Sequence, residues 1–274
     1  MLSLATEIQC VVVIDLALED PILIDVLKKC RNKNPDMKIS LYYLNAIGSD
    51  GTDSRGDLRK AIDNAQKFRF DDIYSFDIDD AKKFGMRYLG FNYYSKHSVK
   101  SNPNPQYDLY FVGRLTLDRK DLFYNVYNTL ISNDCNFDFY IKQKNAEDAR
   151  LTRVKYIESK VRSYHDILKD LQNSKCILEI LREKQKGPSL RYFEAVCYNK
   201  KLLTTNSEIV NFPYYDERYM KFFSNPNEID VEWLKDNSCI VDYHYKGDFS
   251  PITLIHQLEE ENVSQNSSNK TLDN

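Results

Sequence analysis

The segment from Cys176 to Asn206 constrains the fold of this chain more than any other. It begins with an apolar run, Cys176 to Leu181, and ends with another, Lys201 to Thr205, and both predict buried strands. Between them lie a basic loop and a short helix that Ser189 opens. In an α/β domain this order places the free N–H groups of a helix N-terminus beside loop cations, and together they bind a phosphate. A carboxylate one turn into the helix can reach the hydroxyls of a ribose, so the segment predicts a nucleotide diphosphate as ligand.

The composition describes a globular chain with a small negative charge. Of 274 residues, 42% are hydrophobic, which is enough for the core of one large or two modest domains. The net charge of −3 argues against a nucleic-acid-binding protein, which usually has a basic excess. The six cysteines form no C-x-x-C pair and only four histidines are present, so we expect reduced thiols, a cytosolic protein and no zinc site. No apolar run reaches the roughly 18 residues of a membrane span.

Strands and helices alternate along the chain, which predicts an α/β fold with parallel sheets and right-handed crossovers. The predicted strands of the first half are Val11–Ile14, Lys38–Leu44, Asp72–Phe76 and Arg87–Leu89. The segment Ser98–Gln106, which has two prolines and small polar residues, predicts a linker. We therefore predict one domain at residues 1–100, a second at residues 107–260 and a disordered polar tail at residues 261–274.

Two glycines mark candidate ligand loops in the second predicted domain. Gly113 and Gly187 each follow a predicted strand, where an open α/β sheet binds its ligands and where glycine lets the backbone approach a phosphate. For either loop alone, the simpler interpretation is a strand-ending glycine with solvated cations. Their joint occurrence favours a binding cleft. One side of this cleft would be formed by Gly113, Arg114, Arg119 and Lys120, and the other by Arg182, Lys186 and Ser189.

Two glutamates accompany these loops. Glu194 lies in an otherwise apolar predicted helix, Leu190–Tyr198, where a carboxylate needs a partner. That partner is either Arg191, three residues earlier, or the ribose of a ligand, and the family resemblance described next favours the ribose. Glu179 lies inside the predicted strand. It either supports the loop cations or contacts the ligand, and the sequence leaves both open.

Several stretches resemble glycosyltransferases of the GT-B type. YDLYFVGR (Tyr107–Arg114) is similar to the first strand and phosphate loop of their C-terminal domain. GPSLRYFEAVCYNKKLLTTN (Gly187–Asn206) is similar to their donor-binding helix, where a glutamate holds the ribose. LYYLNAI (Leu41–Ile47) and IYSFDIDDAKKFGMRYLGFNYY (Ile73–Tyr94) resemble the N-terminal domain of glycosyltransferases from bacterial capsule, exopolysaccharide and lipopolysaccharide gene clusters. The resemblance runs from about Val11 to Phe249.

The resemblance implies two Rossmann-like domains that face each other across a cleft. The second domain would bind a nucleotide sugar, with a UDP-sugar expected, and the first would bind a lipid-linked oligosaccharide acceptor. It further implies no metal or other cofactor, and a cytoplasmic location with peripheral association at the inner face of the membrane. Arg114, Arg182 and Lys186 would be catalytic, because their charges stabilise the departing diphosphate. The donor-binding residues would be Gly113, Arg119, Lys120, Glu179, Gly187, Ser189, Arg191 and Glu194.

The chain departs from this family at two places. Relatives begin with an additional strand, loop and helix before the segment that matches Val11, so we expect the first βα unit, which often shapes the acceptor site, to be missing. The second of the paired glutamates in many GT-B donor helices is absent or displaced, since position 187 is glycine. The alternative function is therefore a non-catalytic GT-B-like protein that supports a partner glycosyltransferase.

Other functions rest on shorter signals. Asp77 and Asp79 match the D-x-D pattern that holds a divalent metal in another class of glycosyltransferase. Asp79 is also explained as the cap of a helix at Asp80–Phe84 and Asp77 as part of a strand-end loop, which we favour. A general base could be a carboxylate or one of the histidines, of which His97 lies beside the predicted linker. A nucleotide-binding protein unrelated to sugars also fits the phosphate loops.

Overall fold

The computed structural model describes residues 8–47, 63–89, 93–142, 150–157, 162–182 and 185–257. The chain divides into two compact units. The first comprises Met1–Asn92 with Lys184–Gly187, and the second comprises Tyr93–Glu183 with Pro188–Asn274. The predicted tail at residues 261–274 lies outside the described residues.

The first unit is built on a parallel sheet of four strands in the order β1-β2-β3-β4. Its elements are β1 (Cys10–Ile14), α1 (Pro21–Lys33), β2 (Lys38–Tyr43), β3 (Asp72–Ser75), α2 (Ile78–Phe84) and β4 (Arg87–Tyr88). Asp20 caps α1 and Pro21 occupies its first turn, where a missing N–H costs nothing. The predicted cap of α2 was wrong by two residues. Asp77, not Asp79, caps this helix, because its carboxylate accepts the free N–H groups of Asp79 and Asp80 in the first turn.

The second unit is built on a parallel sheet of six strands. Its elements are β5 (Tyr107–Gly113), α3 (Leu117–Ser132), β6 (Phe137–Lys142), β7 (Val154–Ile157), α4 (Tyr164–Gln172), β8 (Ser174–Glu179), α5 (Leu190–Cys197), β9 (Lys201–Thr204), β10 (Met220–Phe222) and α6 (Val231–Lys235). The strand order is β10-β9-β8-β5-β6-β7. This is the order of the doubly wound nucleotide-binding fold, in which the chain works outward in both directions from the two central strands.

A cluster of buried hydrophobic side chains covers each face of this sheet. Period-two alternation sends Leu109 and Phe111 of β5 into a cluster with α3, and sends Tyr110 into a second cluster with α4 and α5. A sheet buried on both faces needs nearly continuous apolar strands, which explains the runs seen in the sequence. The predicted α/β class with parallel sheets is confirmed. The facing of the two domains across a cleft stays a prediction.

Among the described residues, no helix combines the length and the apolar character that crossing a bilayer requires.

Candidate functional site

The strand order of the second unit reverses between β5 and β8. These two strands are neighbours and run parallel, with Tyr110 opposite Ile177. Their carboxyl ends therefore lie at one edge of the sheet, and the loops that follow them open in opposite directions. In open α/β sheets this reversal point creates the crevice that binds ligands. Both predicted ligand loops begin here, so the structure brings the carboxyl ends of their two strands together.

The loop after β5 contains the first group of predicted residues. Gly113 ends the strand, and a Cβ atom at this position would lie 3.1 Å from the ring of Phe111. Packing against Phe111 therefore favours glycine whether or not a phosphate binds. Arg114 follows and is exposed, while Arg119 and Lys120 are half-buried in the first turn of α3. The Lys120 ammonium lies 5.6 Å from the centre of the Tyr124 ring.

The N-terminus of α5 is held by a buried carboxylate. The Ser189 hydroxyl accepts the N–H of Arg191 at 3.1 Å, as a helix cap does, and donates to Glu179. Glu179 ends β8, is buried and also accepts from the hydroxyl of Thr204 on the neighbouring strand. Burial raises the pKa of Glu179, and these hydrogen bonds oppose that effect. Glu179 therefore positions the cap, and the predicted support of the loop cations stays a prediction. Its contact with a ligand stays a prediction.

The carboxylate of Glu194 is buried and contacts other side chains of the protein instead of solvent. Its side chain is 0% exposed and forms an ion pair with Arg191, the alternative considered above. The Tyr164 hydroxyl, at the start of α4, donates to its other oxygen at 2.7 Å and lies 2.8 Å from the hydroxyl of Tyr94. Burial raises the pKa of Glu194, while Arg191 and Tyr164 oppose this. A ribose would have to replace one of these partners, and the predicted ribose contact remains untested.

Lys186 and Gly187 belong to the first unit and contact its residues. Their N–H groups both donate to the same oxygen of Asp77, each at 3.0 Å. The Lys186 ammonium pairs with Asp79 at 2.8 Å. A Cβ atom at Gly187 would lie 2.4 Å from the ring of Phe76, so this close approach itself requires glycine. The Asp77 carboxylate thus binds the backbone amides of a loop that was predicted to lie beside a phosphate, and the roles of Lys186 and Gly187 in donor binding stay predictions.

Asp77 and Asp79 also bear on the metal alternative. The second oxygen of Asp77 accepts the N–H groups of Asp79 at 3.0 Å and Asp80 at 3.3 Å, so this buried carboxylate receives four backbone donors. Its oxygens are therefore already occupied in the way expected of a cap. The described part of the chain contains no group of three or more potential metal ligands.

A polar cluster at the carboxyl edge of the first sheet escaped the sequence analysis. Asp15 follows β1 and accepts the side-chain N–H of Asn45, which follows β2, at 3.2 Å. Asp80, in the first turn of α2, accepts the Ile47 N–H at 2.5 Å. Burial raises the pKa of Asp80 to about 6 and, with the charges of Asp15 and Asp80, raises that of Tyr43 to about 12. A carboxyl group whose pKa is raised toward neutrality by burial is suited to proton transfer.

The sequence analysis also missed Thr204 and Tyr164. Thr204 lies directly opposite Glu179 in the β8–β9 register, and a hydroxyl in an otherwise apolar strand is a signal that could have been used. Tyr164 carries no such signal, since its contact with Glu194 spans 30 positions in the chain. Arg182, the remaining predicted catalytic residue, follows β8 and is half-buried.

No protein-family model and no curated protein sequence matches the chain. Among solved structures it is similar to a mutant of S. aureus TarM in complex with fondaparinux, alpha-GlcNAc-glycerol and UDP, with 14% identity over 77% of this chain and 46% of that chain and a TM-score of 0.45. It is also similar to accessory secretory protein 1, 2 and 3 of Streptococcus pneumoniae, with 12% identity over 93% of this chain and 54% of that chain and a TM-score of 0.43. A third is the glycosylation associate protein complex of Streptococcus agalactiae, with 12% identity over 95% of this chain and 53% of that chain and a TM-score of 0.42.

This chain spans about half the length of each of these solved chains. The TM-scores lie below 0.5, so the similarities carry no argument about the activity of this chain.

Proposed function

We propose that the second unit binds a nucleotide sugar at the reversal point between β5 and β8 and that the chain acts in glycosyl transfer. The observation that carries this proposal is the strand order, because open α/β sheets bind ligands where the order reverses, and here Gly113 ends one of the two strands and the Ser189-capped helix follows the other. A UDP-sugar is the proposed donor. A lipid-linked oligosaccharide is the proposed acceptor, with peripheral membrane association.

The chemistry follows from charge. When the bond between the sugar and the diphosphate of the donor breaks and the sugar is transferred to a hydroxyl of the acceptor, negative charge develops on the departing diphosphate. Arg114 is exposed at the end of β5 and Arg182 follows β8, so both are proposed to stabilise this charge, together with the N-terminus of α5. Glu179 contributes indirectly by holding Ser189 in the capping position.

A second candidate function is a non-catalytic protein that supports a partner glycosyltransferase. The burial of Glu194 is the observation behind it, because Arg191 and Tyr164 occupy the carboxylate and a ribose would have to replace one of them. The two candidates share the fold and differ in whether the donor is turned over.

Calorimetric titration with UDP and GDP tests donor binding in the wild type and in Arg114→Gln. We expect micromolar binding of one nucleotide, weakened about tenfold or more in Arg114→Gln because a charge-assisted hydrogen bond to phosphate is lost. Lys169→Gln is the control, since Lys169 is an exposed cation on α4 of the same unit, away from the loops that follow β5 and β8. A folded wild-type protein that binds neither nucleotide, or an Arg114→Gln variant that binds as well as the wild type, would contradict the proposal.

Turnover then separates the two candidate functions. If the chain is an enzyme, we expect the wild type to release UDP from a UDP-sugar. Arg182→Gln should release UDP more slowly, because Arg182 is proposed to stabilise the departing diphosphate. Nucleotide binding without any release in the presence of a lipid-linked acceptor would favour the partner protein.

A further inference from the structure

Glu194 lies on α5, the helix whose N-terminus belongs to the proposed donor site, and two side chains occupy its carboxylate. Arg191 forms an ion pair with one oxygen, and the Tyr164 hydroxyl donates to the other at 2.7 Å. Because Glu194 is 0% exposed, a ligand reaches the carboxylate only when one of these two partners leaves it. The two bonds differ in what their loss costs, and this difference decides which partner leaves.

The bond with Arg191 is the costly one to break. The Arg191 side chain is only 16% exposed, and its charge opposes the effect of burial on the pKa of Glu194. Removing one partner of a buried ion pair leaves an uncompensated charge, which is strongly destabilising. A neutral ligand group cannot supply the counter-charge that the guanidinium provides. Arg191 is therefore expected to stay on Glu194 when a ligand enters.

The bond with Tyr164 can be exchanged at a lower cost. Burial and the charge of Glu194 raise the pKa of Tyr164, so the phenol keeps its proton and its hydroxyl is a neutral donor. Tyr164 is the first residue of α4 and is half-buried, so solvent can replace Glu194 as the acceptor of this hydrogen. The Tyr94 hydroxyl lies 2.8 Å away and donates to Tyr164, whose own single hydrogen goes to Glu194. Leaving Glu194 does not break this second bond in principle, because it uses the lone pairs of Tyr164.

We propose that the Tyr164 hydroxyl occupies the position of a ribose hydroxyl and is displaced from Glu194 when a nucleoside diphosphate binds. A ribose hydroxyl is an O–H donor like the phenol, so the exchange keeps the number of bonds on Glu194 and preserves the ion pair with Arg191. This inference rests on the proposed function and adds that a residue of α4 sets the affinity for the nucleoside. Because the state in which Tyr164 binds Glu194 must open first, the apparent affinity of the wild type is lowered.

Tyr164→Phe tests the proposal, because it removes the hydroxyl and keeps the ring, which packs edge-on against His97 with 5.3 Å between the ring centres. In this variant the buried Glu194 lacks one donor until a ligand supplies it. We therefore expect UDP to bind about tenfold more tightly to Tyr164→Phe than to the wild type, measured by calorimetry on the full chain. Inorganic pyrophosphate has no ribose and should bind equally to both proteins.

A second ligand, 2′,3′-dideoxy-UDP, separates the exchange of hydroxyls from a simple enlargement of the site. It has no ribose hydroxyl to donate to Glu194, so it should bind Tyr164→Phe about tenfold more weakly than UDP does. Tyr243→Phe is the matched control, since the Tyr243 hydroxyl donates to the backbone oxygen of Lys200 at 3.0 Å. This variant also loses one buried tyrosine hydroxyl, and its affinity for UDP should equal that of the wild type. Thermal unfolding shows that each variant is folded.

The outcomes distinguish this proposal from the donor site itself. UDP binding that Tyr164→Phe leaves unchanged or weakens would overturn the exchange at Glu194 and leave the donor site in place. Equal tightening of UDP and pyrophosphate would do the same, as would equal affinities of the variant for UDP and its dideoxy analogue. If neither the wild type nor Tyr164→Phe binds UDP, the proposed donor site fails and the exchange fails with it.

Discussion

At the scale of single residues, the buried carboxylates of this protein differ in the number and kind of hydrogen-bond donors that they accept from. Asp77 receives four backbone N–H groups, and Glu179 receives two hydroxyl groups. Asp80 has one backbone donor, from Ile47, and the neighbouring charge of Asp77 opposes its ionisation. A buried carboxylate with so few donors retains its proton to higher pH.

Asp80 should therefore make stability depend on pH. Burial raises its pKa from 3.8 to about 6, so the folded state holds a proton that the unfolded chain has already released. The free energy of unfolding should fall as the pH rises from about 4 to about 6, and the loss should persist above that range. Asp80→Asn removes the buried charge, and its carbonyl can still accept the Ile47 N–H. We expect this variant to be more stable than the wild type by on the order of 2 kcal/mol at pH 8 and to show no such advantage at pH 4.

Urea unfolding at both pH values measures this difference. Asp25→Asn is the control, because Asp25 is exposed on α1 of the same unit. An equal effect of Asp80→Asn at pH 4 and pH 8 would show that the titration of Asp80 is not its cause.

At the scale of elements, the residues that cap the starts of helices connect the elements around the candidate site. Ser189 joins two elements at once, because its hydroxyl caps α5 and also donates to Glu179 at the end of β8. Ser163 caps α4 in a simpler way, by accepting the Asp166 N–H at 3.2 Å and contacting an exposed carboxylate. The two serines therefore perform the same capping function in buried and exposed surroundings.

Replacing each serine by alanine should separate the cap from the buried network. Ser163→Ala should lower the free energy of unfolding by about 1 kcal/mol, the usual cost of a lost cap. Ser189→Ala should lower it by about 2 to 4 kcal/mol, because it also leaves the buried Glu179 without one of its donors. Urea unfolding of the two variants tests the ranking, and equal losses would contradict the role assigned to the Ser189–Glu179 bond.

At the scale of the whole molecule, the two units have separate hydrophobic cores. Leu27 of α1 is buried in the core of the first unit, and Leu168 of α4 is buried in one of the cores of the second. The single tryptophan of the chain, Trp233, belongs to the second unit. Its fluorescence therefore reports the unfolding of that unit, whereas circular dichroism reports both.

Substitutions in the two cores should act on different transitions. Leu168→Ala should destabilise the transition seen by tryptophan fluorescence by about 2 to 5 kcal/mol, the usual cost of such a cavity. Leu27→Ala should leave that transition unchanged and lower the temperature of a second transition in circular dichroism. Leu117→Ala is the control, because Leu117 is exposed. One common transition that both core substitutions lower equally would contradict independent unfolding of the units.

The sequence analysis succeeded where structure depends on neighbouring residues. The apolar runs predicted the central strands of the second unit, and Ser189 was recognised as the start of α5. It failed at Asp79, which is exposed and pairs with Lys186, because the pattern allowed either aspartate to cap α2. The strand order, and with it the reversal point between β5 and β8, could be anticipated only through the family resemblance.

By itself, then, the sequence determined the α/β class and the positions of most strands and helix starts, because periodicity and capping act over a few residues. The tertiary structure alone decided which partner each buried charge has. Asp77 meets the N–H of Gly187 across 110 positions, and Tyr164 reaches Glu194 across 30. Lys200 loses its access to water only when α4 and β8 come together around it. Such contacts depend on how distant segments pack, and no local pattern of residues encodes them.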